Sequence, residues 1–264
     1  VIPVYNHERT VADVVYRTLA LDLPVVVVDD GSTDTTYDRI KGIAGIRILR
    51  HRSNRGKGAA LMTGFRQAEK TSDWVITLDA DGQHDPRDAA ALVAAIPRGK
   101  RPIVIGNRQG MLAAEAPWTS RFGREFSNFW VRMAGGPALT DSQSGFRIYS
   151  LPECLHLGVE SRRFQFEVEV LAKANWNRIP VIEAPISVSY RPGTTRISHF
   201  HPFFDFLRNF GVFSRLISPG QPVPDCRAVV VPPGSRMDEG MCRYVHEGGM
   251  LFAFGEVGGQ PYIV

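Results

Sequence analysis

One segment of this sequence changes abruptly from an apolar run to closely spaced acids. In "VITLDADGQHDP" (75–86), Asp79, Asp81 and Asp85 lie within seven residues, with Gln83 between them. Carboxylates this close repel one another unless a positive charge lies beside them. In an extended segment alternate side chains share a face, so Asp79, Asp81 and Gln83 are expected to converge. Hard oxygen ligands of this kind suit Mg²⁺ or Mn²⁺, with phosphate oxygens or water completing the coordination.

Two other interpretations of this segment fit less well. An EF-hand-like calcium loop that begins at Asp79 would need glycine where His84 stands and glutamate where Ala90 stands. A purely structural role, in which acids cap the next helix, accounts for Asp85 but not for Asp79 and Asp81 at the end of a strand. The sequence therefore favours a divalent metal site.

The elements that must position these acids alternate between two patterns. Short β-branched runs predict strands at 24–30, 73–79 and 101–107. Helical spacing predicts helices at about 9–20, 34–41, 57–70, 87–96, 119–134, 164–175 and 202–217. Strands so uniformly apolar need cover on both faces. The fold class is therefore predicted as α/β, a mostly parallel sheet with helices on both faces.

A second acidic pair is expected at the same edge of the sheet. Asp29 and Asp30 come directly after the strand at 24–30, as the acids above come after the next. Ligands of open parallel sheets bind beyond the carboxyl ends of the strands, so the two clusters are predicted to share one site. Ser32 or Thr33 is expected to cap the helix that follows.

The domain organisation follows from length and from a change of composition. A chain of 264 residues with 44% hydrophobic content can bury a large core. We predict one domain over 1–218, a Pro-rich linker over 219–226, and a partial α/β unit over 227–264 with strands at 227–231 and 250–254 around a helix at 237–246. The chain begins at Val1 without methionine, so the first strand is expected to be incomplete.

Charge and cysteine content limit the class of partner. The formal net charge is +4 and basic residues form no long run, so no nucleic-acid interface is predicted. Three cysteines without metal-ligand spacing favour a reducing compartment. The sequence contains no signal peptide and no apolar stretch of the roughly 20 residues that a membrane span needs.

Several motifs, in order and in register, carry a family resemblance. They are "VIPVYNHERTV" (1–11), "VVVDDGSTD" (26–34), "NRGKGAALMTGF" (54–65), "LDADGQHDP" (78–86) and "DSQSGFRIY" (141–149). Together they resemble the inverting family 2 glycosyltransferases of the GT-A (Rossmann-like) fold. More narrowly, residues 1–217 are similar to the branch of dolichyl-phosphate mannose synthases and polyprenyl-phosphate glycosyltransferases.

The resemblance implies how a nucleotide diphosphate sugar binds. Pro3, Tyr5 and Glu8 match the segment that lines the nucleotide pocket, and Asp29 matches the acid that accepts a hydrogen bond from the base. A carboxylate can recognise uracil or guanine, so the donor is either a UDP- or a GDP-hexose. Asp30 is assigned either to the ribose or to the cap of the helix at 34.

The resemblance also implies a catalytic centre. Asp79, Asp81 and Gln83 match the metal ligands. Arg108 matches an arginine near the diphosphate. Arg121 is expected to match another, with surface charge as the alternative.

The predicted catalytic residues are Asp141, Asp81 and Arg147, and Asp141 lies on the acceptor side. A phosphate acceptor is largely ionised at neutral pH and needs little base catalysis, so Asp141 would mainly position it. With a hydroxyl acceptor, Asp141 would be the essential base. Glu167 and Glu169 are expected to face either the site or an arginine loop.

Residues 190–217 determine which acceptor is favoured. Aromatic residues recur at helical spacing over 202–217, which predicts either a helix in a membrane interface or one packed on the sheet. Arg191, Arg196 and Ser144 are the candidate ligands of an acceptor phosphate.

The resemblance therefore implies a metal-dependent enzyme that transfers a hexose to a polyprenyl phosphate. It would be peripheral to the membrane, at its cytoplasmic face. The alternatives are the same chemistry on a glycan or other hydroxyl acceptor, and a sugar-nucleotide-binding module without turnover.

Overall fold

The structure is a computed structural model that describes residues 1–108, 128, 131–132, 135–163 and 165–187, together with the backbone of strands at 228–231, 250–257 and 260–263. The strands of its N-terminal part are β1 (Ile2–Val4), β2 (Val25–Asp29), β3 (Ile46–Arg50), β4 (Trp74–Thr77), β5 (Ile103–Asn107), β6 (Arg147–Ser150) and β7 (Val181–Pro185). The helices are α1 (Val11–Leu19), α2 (Thr36–Ile40), α3 (Lys57–Ala68), α4 (Ala89–Ala94), α5 (Glu153–His156) and α6 (Gln165–Trp176), and a 3₁₀ turn (Pro86–Asp88) precedes α4.

Backbone hydrogen bonds join the strands in the order β3-β2-β1-β4-β6-β5-β7. β1 pairs in parallel with β2, and β2 with β3. The Val1 nitrogen donates to the Ile76 carbonyl oxygen at 2.7 Å, and the Leu78 amide donates to the Val1 carbonyl oxygen at 3.1 Å, which places β1 beside β4. β6 runs antiparallel to both β4 and β5, whereas β7 is parallel to β5. The predicted mostly parallel sheet is therefore confirmed.

Apolar side chains alternate between the two faces of the strands and form two hydrophobic cores. Ile103 and Ile105 of β5 pack with α3 and α6, whereas Val104 between them packs with α1 and α4. The same alternation separates Tyr149 from Ile148 in β6. Because successive side chains of a strand point to opposite faces, the sheet carries helices on both sides. This packing holds the loops at the carboxyl ends of the strands against a rigid base.

The predicted elements are observed with small shifts of their ends. Each of the three predicted strands is present, as are the five helices predicted at 9–20, 34–41, 57–70, 87–96 and 164–175. The predicted cap of α2 was wrong, because the Asp34 carboxylate, rather than Ser32 or Thr33, accepts from the Thr36 amide at 2.9 Å. Ser32 Oγ instead accepts from the Asn6 amide.

The C-terminal part contributes three strands, β8 (Ala228–Val231), β9 (Met250–Val257) and β10 (Gln260–Ile263). β8 is parallel to β9, and β10 is antiparallel to it. The two strands predicted here are present, whereas the helices predicted at 202–217 and 237–246 and most of the one at 119–134 lie outside the described residues. The division at 218 and 226 stays a prediction. Among the described residues, no helix is long and apolar enough to cross a membrane.

Candidate active site

Asp29 ends β2 with its carboxylate fully buried. One oxygen accepts from the Ser32 amide at 2.9 Å, and the other forms an ion pair with Arg50 Nε at 2.9 Å. The amide of Ser32 and the guanidinium of Arg50 both fix the orientation of this carboxylate. Arg50 was not identified from the sequence.

Asp30 holds the loop that precedes α3. Its Oδ1 accepts from the Arg55 amide at 2.9 Å and lies 2.6 Å from His51 Nδ1, while Oδ2 accepts from the Gly56 amide at 2.7 Å. The suggestion that Asp30 caps the helix at 34 was therefore wrong, because both of its carboxylate oxygens accept hydrogen bonds from the turn before α3. Glycine is required at Gly56, where φ is +98° and a Cβ would overlap the Arg162 backbone.

The loop after β1 is bound to the loop after β2. Pro3 is buried in β1, and Asn6 accepts from the Thr33 amide at 2.9 Å. Glu8 accepts from the amide and the hydroxyl of Thr35 at 3.1 and 2.6 Å. Tyr5 is half-buried beside them. Glu8 thus lies where these two loops meet, with Tyr5 in the first loop and Pro3 in the strand before it.

The acidic segment after β4 is a turn rather than a continuation of the strand. β4 ends at Thr77, and Gly82 has a φ of +76°. Asp81 Oδ1 accepts from the Gln83 amide at 3.0 Å, and Thr10 Oγ1 donates to the Ala80 carbonyl oxygen at 2.6 Å. The premise that residues 79–83 are extended was therefore wrong. Turn geometry, rather than strand alternation, governs where these side chains point.

Lys57, at the first turn of α3, lies between two carboxylates. Its Nζ is 2.7 Å from Asp79 Oδ1 and 2.7 Å from Glu167 Oε1, and the Lys57 side chain is 19% exposed. Burial alone would raise the pKa of Asp79, but the ammonium holds it below its ordinary value. Burial would lower the pKa of Lys57, yet the two carboxylates raise it. Lys57 was missed as a site residue, although it belongs to a recognised motif.

Gly145 brings the turn after residue 141 directly against Asp79. A Cβ built at Gly145 would lie 2.5 Å from Asp79 Cγ and 2.6 Å from Oδ1, and closer still to Oδ2. Real Cβ atoms do not approach so near, so a side chain at this position is incompatible with the observed place of the carboxylate. The contact joins the metal-site turn to the predicted acceptor turn.

Arg108 and Asp141 form a buried ion pair with two parallel contacts. Arg108 Nε donates to Asp141 Oδ2 at 2.6 Å, and Nη2 donates to Oδ1 at 2.7 Å. Asp141 is fully buried, and the Arg108 side chain is 9% exposed. Such bidentate pairs are strong and fix both planes. Both oxygens of Asp141 therefore already accept hydrogen bonds from a protein donor.

The segment that carries Asp141 is held from two further sides. Glu183 on β7 accepts from the amides of Thr140 and Asp141 at 3.0 and 2.9 Å. The buried Arg147 donates to the carbonyl oxygens of Ser144 and Ser142 at 2.7 and 2.6 Å. Arg147 thus contacts the turn rather than open space. Glu183 was not identified from the sequence, because no motif around it indicates that its carboxylate binds the backbone of residues 140 and 141.

Two buried polar atoms near these acids lack a partner among the described residues. Ser144 Oγ is one, and His84 Nδ1 is the other. The His84 ring packs against Phe146, with centroids 5.7 Å apart. Burial lowers the pKa of His84 against the opposing effect of the Asp79 and Asp81 charges. His84 therefore lies close to both acids.

The donor set fits a hard divalent cation that shares its coordination with a ligand. Asp79, Asp81 and Gln83 offer carboxylate and amide oxygens, the donors that Mg²⁺ and Mn²⁺ prefer. Within the described residues, no group of three or more His, Cys, Asp or Glu side chains is arranged to hold a metal alone. The set is therefore compatible with an ion that takes its other ligands from phosphate oxygens and water.

The remaining predicted residues separate into two groups. Glu167 faces the site through Lys57, whereas Glu169 accepts from the amides of Glu160 and Ser161 and pairs with Lys173. Three of the predicted site residues lie outside the described part of the chain, namely Arg121, Arg191 and Arg196.

Comparison with known structures supports the fold. M. tuberculosis glucosyl-3-phosphoglycerate synthase superposes with a TM-score of 0.53 at 21% sequence identity, over 72% of this chain and 71% of that one. At this identity the likeness concerns the fold alone. With the strand order above, it confirms the GT-A fold class.

Sequence comparison identifies the family. The model of glycosyl transferase family 2 matches residues 1–151. The UDP-N-acetylglucosamine--dolichyl-phosphate N-acetylglucosaminyltransferase of Methanococcus voltae is 31% identical over 234 residues, 78% of this chain and 93% of that protein. The polyprenol monophosphomannose synthase of Mycolicibacterium smegmatis is 27% identical over 75% of this chain and 80% of that protein. The chain is a glycosyltransferase and belongs to glycosyl transferase family 2.

Proposed function

We propose that this enzyme transfers a hexose from a nucleotide diphosphate sugar to a polyprenyl phosphate, at the cytoplasmic face of a membrane. The observation that carries the proposal is the contact between Gly145 and Asp79, because it joins a donor-side turn to an acceptor-side turn at one edge of the sheet. The similar proteins of M. voltae and M. smegmatis are named for dolichyl-phosphate and polyprenol chemistry, which supports this class of acceptor.

On the donor side, the loops after β1 and β2 would receive the nucleoside. Asp29 is held by Ser32 and Arg50, so the orientation of its carboxylate is fixed before the ligand arrives. The metal would supply charge neutralisation for the departing diphosphate. Asp79, Asp81 and Gln83 would hold it. Lys57 keeps Asp79 ionised and in place.

On the acceptor side, Asp141 would act by positioning rather than as a base. Both of its oxygens accept from Arg108, and a phosphate acceptor is already ionised at neutral pH. Ser144, whose buried hydroxyl has no partner among the described residues, would donate to such a phosphate. Arg147 and Glu183 would keep the turn rigid. An oxygen of the acceptor phosphate would bond to the anomeric carbon as the bond from that carbon to the nucleoside diphosphate breaks. The nucleoside diphosphate leaves, and the configuration is inverted without a covalent enzyme intermediate.

The test is a transfer assay with the purified chain. Labelled UDP-hexoses and GDP-hexoses are incubated with Mg²⁺ or Mn²⁺ and a short-chain polyprenyl phosphate, and product is extracted into the lipid phase. The variant Asp79→Asn/Asp81→Asn removes the proposed metal ligands. Asp38→Asn is the matched control, because Asp38 is exposed, forms an i,i+3 ion pair with Lys41 and is none of the proposed site residues.

Metal-dependent product that the double variant loses and the control keeps is the expected result. Transfer only to glycans or other hydroxyl acceptors would replace the polyprenyl phosphate in the proposal. Binding of the sugar nucleotide without transfer to either acceptor would contradict the catalytic role of the site.

A further inference from the structure

A groove runs along α3, between that helix and the segment that precedes α6. It is bounded by α3 and by the segment Val159–Arg162, and its volume is about 520 Å³. The two walls are in direct contact at one end, since a Cβ at Gly58 would lie 2.6 Å from Phe166 Cβ and 2.8 Å from the Ser161 carbonyl oxygen. None of the residues assigned above to the donor or the acceptor lines this groove.

The groove is rich in positive charge. Arg55, Arg66 and Arg162 line it, and Glu160 is the acid among its lining residues. Within the described part of the chain, none of the three guanidinium groups is in an ion pair. Arginines that share one concavity without carboxylate partners favour an anionic ligand, because their planar forks match phosphate oxygens bidentately.

A buried serine also lines the groove. Ser161 is 8% exposed, and its Oγ has no hydrogen-bond partner among the described residues. A buried hydroxyl without a partner costs free energy unless a ligand or water completes it. The backbone around it is fixed, because Glu169 accepts from the amides of Glu160 and Ser161 at 3.0 and 2.9 Å. The backbone that carries the hydroxyl is thus held in place.

We propose that this groove binds a phosphate group, carried either by a membrane lipid headgroup or by a small free anion. Arg66 and Arg162 would contact its oxygens from the two walls, and Ser161 would donate a further hydrogen bond. A volume of about 520 Å³ lies in the range of small-molecule sites, so the groove has room for a phosphate group and for the molecule that carries it. The site is independent of the sugar-transfer chemistry proposed above.

The test is calorimetric titration of the purified full chain with inorganic phosphate, in EDTA so that no divalent cation supports binding at the acids. Arg66→Gln/Arg162→Gln removes one cation from each wall and should weaken binding at least about tenfold. Ser161→Ala leaves the charge unchanged and should weaken it by roughly threefold. Arg98→Gln is the control, because Arg98 is exposed and lies outside the groove.

Vesicle sedimentation then distinguishes the two sources of phosphate. Vesicles of phosphatidylcholine are compared with vesicles that also contain phosphatidylglycerol. Loss of sedimentation with anionic vesicles in Arg66→Gln/Arg162→Gln, but not in Arg98→Gln, assigns the groove to headgroups; phosphate binding without sedimentation assigns it to a free anion.

Three results overturn the proposal. The first is that the unaltered chain binds neither phosphate nor vesicles. The second is that Arg98→Gln weakens binding as much as the double variant, since bulk charge alone would then account for it. The third is that Ser161→Ala binds phosphate as the unaltered chain does. Melting temperatures of all variants verify that each is folded.

Discussion

The contact between Gly145 and Asp79 makes Gly145→Ala the most specific perturbation of this site. A methyl group at Gly145 would lie within 2.6 Å of all three atoms of the Asp79 carboxyl group. Ordinary contacts between such atoms are about 3.5 Å, so the carboxylate must move by about 1 Å. The move separates it from Lys57, 2.7 Å away, and from the proposed metal position. One methyl group thus alters the ligand without replacing it.

The expected loss follows from that displacement. A misplacement of about 1 Å in a catalytic constellation costs about 100-fold in rate, which is close to 3 kcal/mol of activation free energy. The cost in the free energy of unfolding should be smaller, about 1–2 kcal/mol, because the group that yields is a side chain 25% exposed. Activity should therefore fall far more than stability does.

Two measurements test this expectation. Transfer of labelled sugar gives kcat/KM, and paramagnetic resonance of free Mn²⁺ gives metal affinity without turnover. Gly42→Ala is the control, because a Cβ there meets no atom within 4 Å and Gly42 is exposed. If Gly145→Ala keeps both the rate and the Mn²⁺ affinity of the unaltered chain, the Asp79 carboxylate is not where the reaction needs it, and the reasoning is refuted.

Three further predictions concern the ion pairs. Lys57→Met should lower the free energy of unfolding by about 3 kcal/mol in urea titrations, because two carboxylates lose their counter-charge, and Glu167→Gln in the same chain should restore part of it. Asp141→Asn should lower the free energy of unfolding by about 3–5 kcal/mol, because it breaks the ion pair with the buried Arg108. Adding Arg108→Met to this variant should recover much of the melting temperature. Hydrogen bonds from Arg87 lower the pKa of Asp85 to about 2. The contribution of Asp85 to the free energy of unfolding is therefore complete above about pH 4 and is lost as the pH falls towards 2. Asp85→Asn should flatten that part of the acid-unfolding curve.

Each of these has a contradicting outcome. Glu167→Gln that leaves Lys57→Met no more stable would show that the two residues are not coupled. An Asp141→Asn chain as stable as the original would show that Arg108 finds another partner. If the acid-unfolding curves of the original chain and of Asp85→Asn are the same, a group other than Asp85 titrates in that pH range.

The elements that carry the site were predictable because their signals are local. The run Val25–Val28 is β-branched and ends in acids, which predicted both β2 and the place of Asp29. The turn at 80–82 had a local signal too, since Asp-Gly is a turn dipeptide, but strand alternation was extended through it. The antiparallel direction of β6 depends on how the chain returns to the sheet, which no spacing in the sequence expresses.

The partners of the acids were not predictable, because they come from distant segments. Lys57 and Glu167 are separated by 110 residues and meet only when α3 packs against α6. Glu183 contacts the amide of Asp141 from 42 residues away. Residue type showed that counter-charges were needed, whereas the fold alone determines which cations supply them.

The protein itself supplies much of the counter-charge that the acids of the site need, including that of Asp79, which the sequence had assigned to a metal. Asp29 pairs with Arg50, Asp79 with Lys57, and Asp141 with Arg108. Among the described residues, Asp81 forms no such ion pair and accepts only from the Gln83 amide. A cation that enters the site therefore gains most at Asp81, whose charge is the least compensated, while Lys57 already holds Asp79 ionised and oriented. The ion pairs therefore hold the site rigid before the donor binds. The net charge around Asp81 then depends on whether the metal is bound.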